Sequence, residues 1–143
     1  MSFIRNRIIM REIKFRAWDK KTKSFVNLST CEVYFTTQNE LFVGETIELG
    51  THEEFNDFVL QQYTGLKDMN GKEIYEGDVI VIDSDKDKII YVIVYEYGEY
   101  LAITPNKNID VFGSGYDQLS LSMSGTEDYK IIGNIYENPE LIE

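Results

Sequence analysis

Glu73, Glu76 and Asp78 crowd one short stretch of the chain. A carboxylate cluster of this kind could do acid–base work or hold a hard cation. Alternation along an extended chain sends neighbouring side chains to opposite faces, which spreads these three instead of gathering them. The favoured reading is structural, with Asp78 bonding the turn beside it and the glutamates solvated. Asp83, Asp85 and Asp87 reproduce the first three acidic spacings of a calcium loop. Its sixth position is Lys88 where glycine is needed, and its twelfth is Val94 where glutamate is needed, so a solvated hairpin tip is expected. His52 is the single histidine, and a Ser-His-Asp arrangement would have to use it with no nucleophile motif nearby.

Cys31 is likewise alone, which excludes a Cys/His zinc site and a disulfide within one chain. It reads as a small apolar filler beside Glu32, Val33, Tyr34 and Phe35, with nothing basic nearby to lower its pKa. Gly113, Ser114 and Gly115 lack the lysine and the strand–helix setting of a phosphate loop. These residues therefore predict no catalytic centre, no cofactor and no metal site.

Charge is lopsided. Residues 1–23 carry eight basic side chains (Arg5, Arg7, Arg11, Lys14, Arg16, Lys20, Lys21, Lys23) against Glu12 and Asp19, a net of +6. The whole 143-residue chain stands at −11, so the remainder sums to −17. Phosphates would be repelled over most of such a surface, which argues against general nucleic-acid affinity and leaves a local basic strip near the N-terminus. The ten tyrosines and eight phenylalanines could stack on bases, but most sit in strand-like runs where they would fill a β core. The longest apolar run, Ile89 to Tyr95, is far short of the roughly 20 residues of a membrane-spanning helix. Arg5 and Arg7 are followed by too short an apolar stretch for a secretory signal. A cytoplasmic protein is expected.

The elements that must position these groups read mainly as strands. Ile13, Phe15 and Ala17 alternate with Lys14 and Arg16, and residues 11–28 read as a hairpin turning at Asp19 to Ser24. Further strands are expected at Glu32–Thr36, Glu40–Val43, Thr46–Leu49, Val79–Asp83, Ile89–Tyr97, Glu99–Thr104, Leu119–Met123 and Lys130–Tyr136. Gly98 makes one of the hairpin connections. Thr51 and Glu54 fit a capping box, and Phe55, Phe58, Val59 and Gln62 follow at helical spacing; Phe58 to Thr64 also reads as an extended run, and about two turns of helix are predicted near residues 52–60. Residues 106–117 are expected to form a loop. The fold class is mainly β: a small antiparallel barrel with an additional β-rich N-terminal part and at most one short helix. Residues 1–9 read as an extension before Met10, and residues 10–143 as one domain.

Between Tyr63 and Asp78 the small residues have physical roles. Asp68, Met69, Asn70 and Gly71 form a turn in which the aspartate can accept from amides ahead of it while Asn70 and Gly71 tolerate positive φ. Gly65 and Gly77 shape the backbone too, Gly77 just ahead of an apolar strand. Three blocks of the chain resemble the YopX protein family of phages and prophages of Gram-positive bacteria. They are Ile13 to Asp19, Gln62 to Ile80 and Gly133 to Leu141. The resemblance implies a β-rich fold that includes an SH3-like barrel, here divided into residues 10–62 and 63–143. It brings no established activity, so Tyr63, Gly65, Asp68, Asn70, Gly71, Gly77 and Asp78 are carried as a structural motif.

The expectation for function is a phage or prophage accessory protein, not an enzyme, that works by contact with an unknown host or phage protein. A DNA mimic or a nucleic-acid-binding barrel is the alternative. Self-association through strand edges is plausible, and no membrane partner is expected.

Overall fold

The computed structural model describes residues 12–26, 31–35, 41–45, 58–83, 88–105, 118–121 and 125–143, with the backbone alone for 31–35, 41–45, Asp83 and Gln118. The alternation at Phe15 and Ala17 produces β1 (Phe15–Asp19), which turns through residues 20–23 into the short β2 (Ser24–Phe25). Asp19 caps that turn by accepting bonds from the amides of Lys21 (2.7 Å) and Thr22 (3.2 Å). β3 (Cys31–Phe35) and β4 (Leu41–Glu45) form a separate antiparallel pair.

The predicted helix over 52–60 is corrected at its end. Phe58 begins β5 (Phe58–Lys67), a ten-residue strand; residues 51–57, with His52, lie outside the described residues. Pairing overrides the helical spacing. Five successive β5 residues, Phe58 to Gln62, pair antiparallel with β1, and β-branched and aromatic side chains suit that pleated surface. The same strand continues past residue 62 and pairs through Tyr63 and Lys67 with β6 (Glu73–Tyr75). A four-stranded sheet results, in the order β2-β1-β5-β6.

The second sheet has five strands, in the order β10-β9-β8-β7-β11, all antiparallel. These are β7 (Asp78–Asp83), β8 (Lys88–Glu96), β9 (Glu99–Ile103), β10 (Gln118–Ser120) and β11 (Tyr129–Asn134). The last strand returns beside the first, and the sheet curls into a half-barrel. Alternate side chains of these strands fill it: Ile80, Tyr91, Ile93, Ala102 and Tyr129 are buried with Leu121. Ile74 of β6 and Leu66 of β5 close the cluster from the other sheet. Val79, Val92 and Leu101 are buried on the opposite face, so the centre of the curled sheet is covered on both sides. Among the described residues no helix is long and apolar enough to cross a membrane; Pro139–Leu141 forms a single 3-10 turn. The Gly113–Gly115 loop and the tip from Ser84 to Asp87 lie outside the described residues.

Candidate functional site

Asp78 opens β7 and its side chain is only 2% exposed. A buried carboxylate must be paired and hydrogen-bonded to be tolerated. Its Oδ2 accepts the Tyr75 amide of its own turn at 2.8 Å. Its Oδ1 accepts from the Arg16 guanidinium of β1 and from Asn134 Nδ2 of β11 at 3.3 Å. Arg16 Nε donates to Gln61 Oε1 at 2.7 Å, and Asn134 Nδ2 reaches the same oxygen at 3.2 Å. Asn134 Oδ1 accepts in turn from Gln61 Nε2 (3.4 Å) and from the Tyr136 amide (3.1 Å). The Arg16 guanidinium also lies 4.5 Å from the Phe25 ring centre and 4.6 Å from that of Tyr75, a cation held between two aromatic rings.

This network is a clasp between the two sheets. Arg16 and Gln61 belong to the four-stranded sheet, Asp78 and Asn134 to the five-stranded one. Gly77 sits beneath it at φ +76°, donating to Ile93 O at 2.8 Å and accepting from the Ile135 amide at 2.9 Å. The three sequence blocks described above meet here: Arg16 comes from the opening block, Gly77 and Asp78 from the central one, Asn134 from the last. Arg16, Gln61 and Asn134 were not legible as site residues, because their partners stand 45 to 73 positions away in sequence.

Beside the clasp, Lys14 Nζ donates to Glu73 Oε1 at 2.6 Å and approaches Glu12 at 3.1 Å. The Tyr75 hydroxyl donates to Glu73 Oε2 at 2.9 Å. Hydrogen bonds from Lys14 and Tyr75 hold the Glu73 carboxyl below its ordinary pKa, while those to Glu73 and Glu12 raise that of Lys14. Burial, helped by Glu73, pushes the Tyr75 phenol up to about 12. Tyr63 packs its ring 5.4 Å from that of Tyr75, and Glu76 accepts the Gln62 amide at 2.9 Å. Among the described residues, no three of His, Cys, Asp and Glu are grouped to hold a metal ion.

Asp68 is the second buried carboxylate. Its Oδ1 accepts the amides of Asn70 and Lys72, both at 2.9 Å, and its Oδ2 accepts the Ile131 amide of β11 at 3.1 Å. The Met69 amide adds a bond to Tyr129 O at 2.8 Å, so the turn is fastened to the last strand. Positive φ falls on Gly71 (+79°) and Gly65 (+88°), while Asn70, which would tolerate it, does not adopt it. The turn needs one left-handed residue, and glycine supplies it at less cost than asparagine.

Burial raises the pKa of Asp68, but the three amide bonds outweigh it and hold the carboxyl below its ordinary value. A depressed folded-state pKa contributes stability above the unfolded value, about 3.9, and loses it as pH falls through the folded one. The stability difference between wild type and Asp68→Asn is therefore expected to stay constant from neutral pH down to about 5 and to shrink below about 4. Urea unfolding across a pH series measures it.

A family model described as YopX protein matches residues 14–143. Protein EF1440 from Enterococcus faecalis is 28% identical in a solved structure, with a TM-score of 0.55, over 92% of this chain and 99% of that one. Protein yopX from Bacillus subtilis is 19% identical with a TM-score of 0.62, over 90% of this chain and 95% of its own, a likeness of fold. No curated protein matches. The family model runs from the approach to β1 through both sheets and the clasp to the last residue, and the chain belongs to the YopX family.

Proposed function

We propose that this protein is a phage or prophage accessory factor without a catalytic step of its own, acting in the host cytoplasm by contact with another protein. The observation that carries the reading is Tyr97. It occupies the first position of the two-residue turn between β8 and β9, at φ +52° with Gly98 at +84°, where Asn-Gly is the favoured pair. A tyrosine in that left-handed region costs about 1 kcal/mol or more relative to a relaxed backbone. Its side chain is nevertheless 73% exposed, and Tyr95 beside it is 52% exposed. An aromatic held outward at local expense suits recognition, since tyrosine is enriched where proteins meet. Direct nucleic-acid binding has less support. Of the cations on the basic first hairpin, Arg16 is committed to Asp78 and Lys14 to Glu73 and Glu12.

Tyr97→Asn separates recognition from folding, because it gives the turn its preferred residue while removing the aromatic ring. Pull-down from host lysate at near-native level is expected to recover a specific protein with wild type and to lose it with Tyr97→Asn. Recovery of no specific partner by wild type, or full retention by the variant, ends the reading. A partner that is itself a nucleic-acid-binding protein, released by DNA, would turn it towards DNA mimicry by the acidic surface.

A further inference from the structure

We infer that Asn70–Gly71 is a site of spontaneous backbone modification by deamidation, held shut by Asp68 and opened only when the turn lets go of β11. An asparagine followed by glycine is the pair most open to attack by its own main chain, because glycine carries no side chain to shield the nitrogen. Both residues are exposed here, and a Cβ built on Gly71 would meet nothing within 4 Å. The fold adds no steric shield. In the reaction, the deprotonated Gly71 nitrogen attacks Asn70 Cγ and a nitrogen–carbon bond forms. The Cγ–Nδ2 bond breaks, and ammonia leaves with the proton that the nitrogen gave up. A solvent water then opens the cyclic imide at either carbonyl, leaving aspartate or isoaspartate. Nothing is oxidised or reduced.

What opposes this is the hydrogen bonding of the turn. The Gly71 amide that must act as nucleophile donates to Asp68 O at 2.9 Å. The amides on either side of it, Asn70 and Lys72, both donate to Asp68 Oδ1. Asp68 therefore restrains the nucleophile through its main-chain carbonyl and fixes the backbone on either side of it through its carboxylate. Its other oxygen is the one that fastens the turn to Ile131. Isoaspartate would lengthen the main chain by one carbon between the two amides that share Oδ1, so they could no longer both reach it. Modification at residue 70 would then free the outer edge of β11, one way and without an enzyme.

The test follows the mass of the tryptic or chymotryptic peptide holding residue 70 in the full-length protein, incubated in mildly alkaline buffer. An Asn70→Ser variant assigns the signal by abolishing it. Folded wild type is expected to convert at least about tenfold more slowly than the same chain in urea, and folded Asp68→Asn to lose most of that protection. The converted fraction, separated by ion exchange, is expected to exchange its Ile131 amide with solvent faster than the unmodified fraction. Equal rates in folded and unfolded wild type overturn the inference, as does full protection in a folded Asp68→Asn. Should that variant not fold, Thr126→Ala replaces it, since Thr126 ties down the turn by donating to Lys67 O at 2.7 Å. An unchanged rate there overturns the inference equally.

Discussion

Replacing Asp78 by alanine is expected to cost about 3 to 5 kcal/mol, the range for removing one partner of a buried ion pair. A domain of this size has about 5 to 15 kcal/mol in total, so the variant would keep a reduced margin or fail to fold at elevated temperature. The size of the effect comes from what is left behind. Arg16 is 20% exposed and stays between the Phe25 and Tyr75 rings with no counter-charge. The Tyr75 amide loses its acceptor, and Asn134 Nδ2 keeps only Gln61. A buried group stranded in this way keeps its desolvation penalty. A drop in the urea midpoint at constant slope would locate the loss in stability and not in a change of the unfolded state.

Gly77→Ala is expected to cost about 2 to 4 kcal/mol for two separate reasons. At an ordinary position the exchange stabilises by about 0.4 to 1 kcal/mol, by restricting the unfolded chain. Here the backbone stands at φ +76°, where an alanine pays about 1 to 2 kcal/mol. The added Cβ would also collide with Gln61 Nε2 and lie 3.3 Å from Asn134 Nδ2. Gln61 is 2% exposed and wedged by its bonds to Arg16 and Asn134, so it cannot swing away without opening the clasp. Gly65→Ala is the control. It shares a positive φ but has nothing within 4 Å of the new Cβ, so the difference between the two variants isolates the crowding.

The strands of the curled sheet were legible because they are apolar runs rich in β-branched and aromatic side chains, and the core residues Ile80, Tyr91, Ile93 and Ala102 fall in those runs. β5 was legible only as the alternative to a helix, since its buried positions include Gln61, and Phe55, Phe58, Val59 and Gln62 fit a helix as well as a strand; only pairing with β1 decides between them. β6 is three residues long, too short for any period to register. The same division runs through the site. A bond from Asp78 to the amide three residues back obeys a local rule that sequence can supply. Arg16, Gln61 and Asn134 converge through the meeting of two sheets, and no spacing in the chain encodes that meeting. Why the three family-like blocks occur together has a physical answer: each contributes a residue to one polar clasp.

The central claim is that Arg16 and Asp78 act as one unit joining the two sheets. A double-mutant cycle with Arg16→Met, Asp78→Ala and both together, read as urea unfolding free energies, tests it most directly. The account predicts that the double variant is less destabilised than the sum of the single ones by at least about 1 kcal/mol. Additivity within about 0.3 kcal/mol would contradict it.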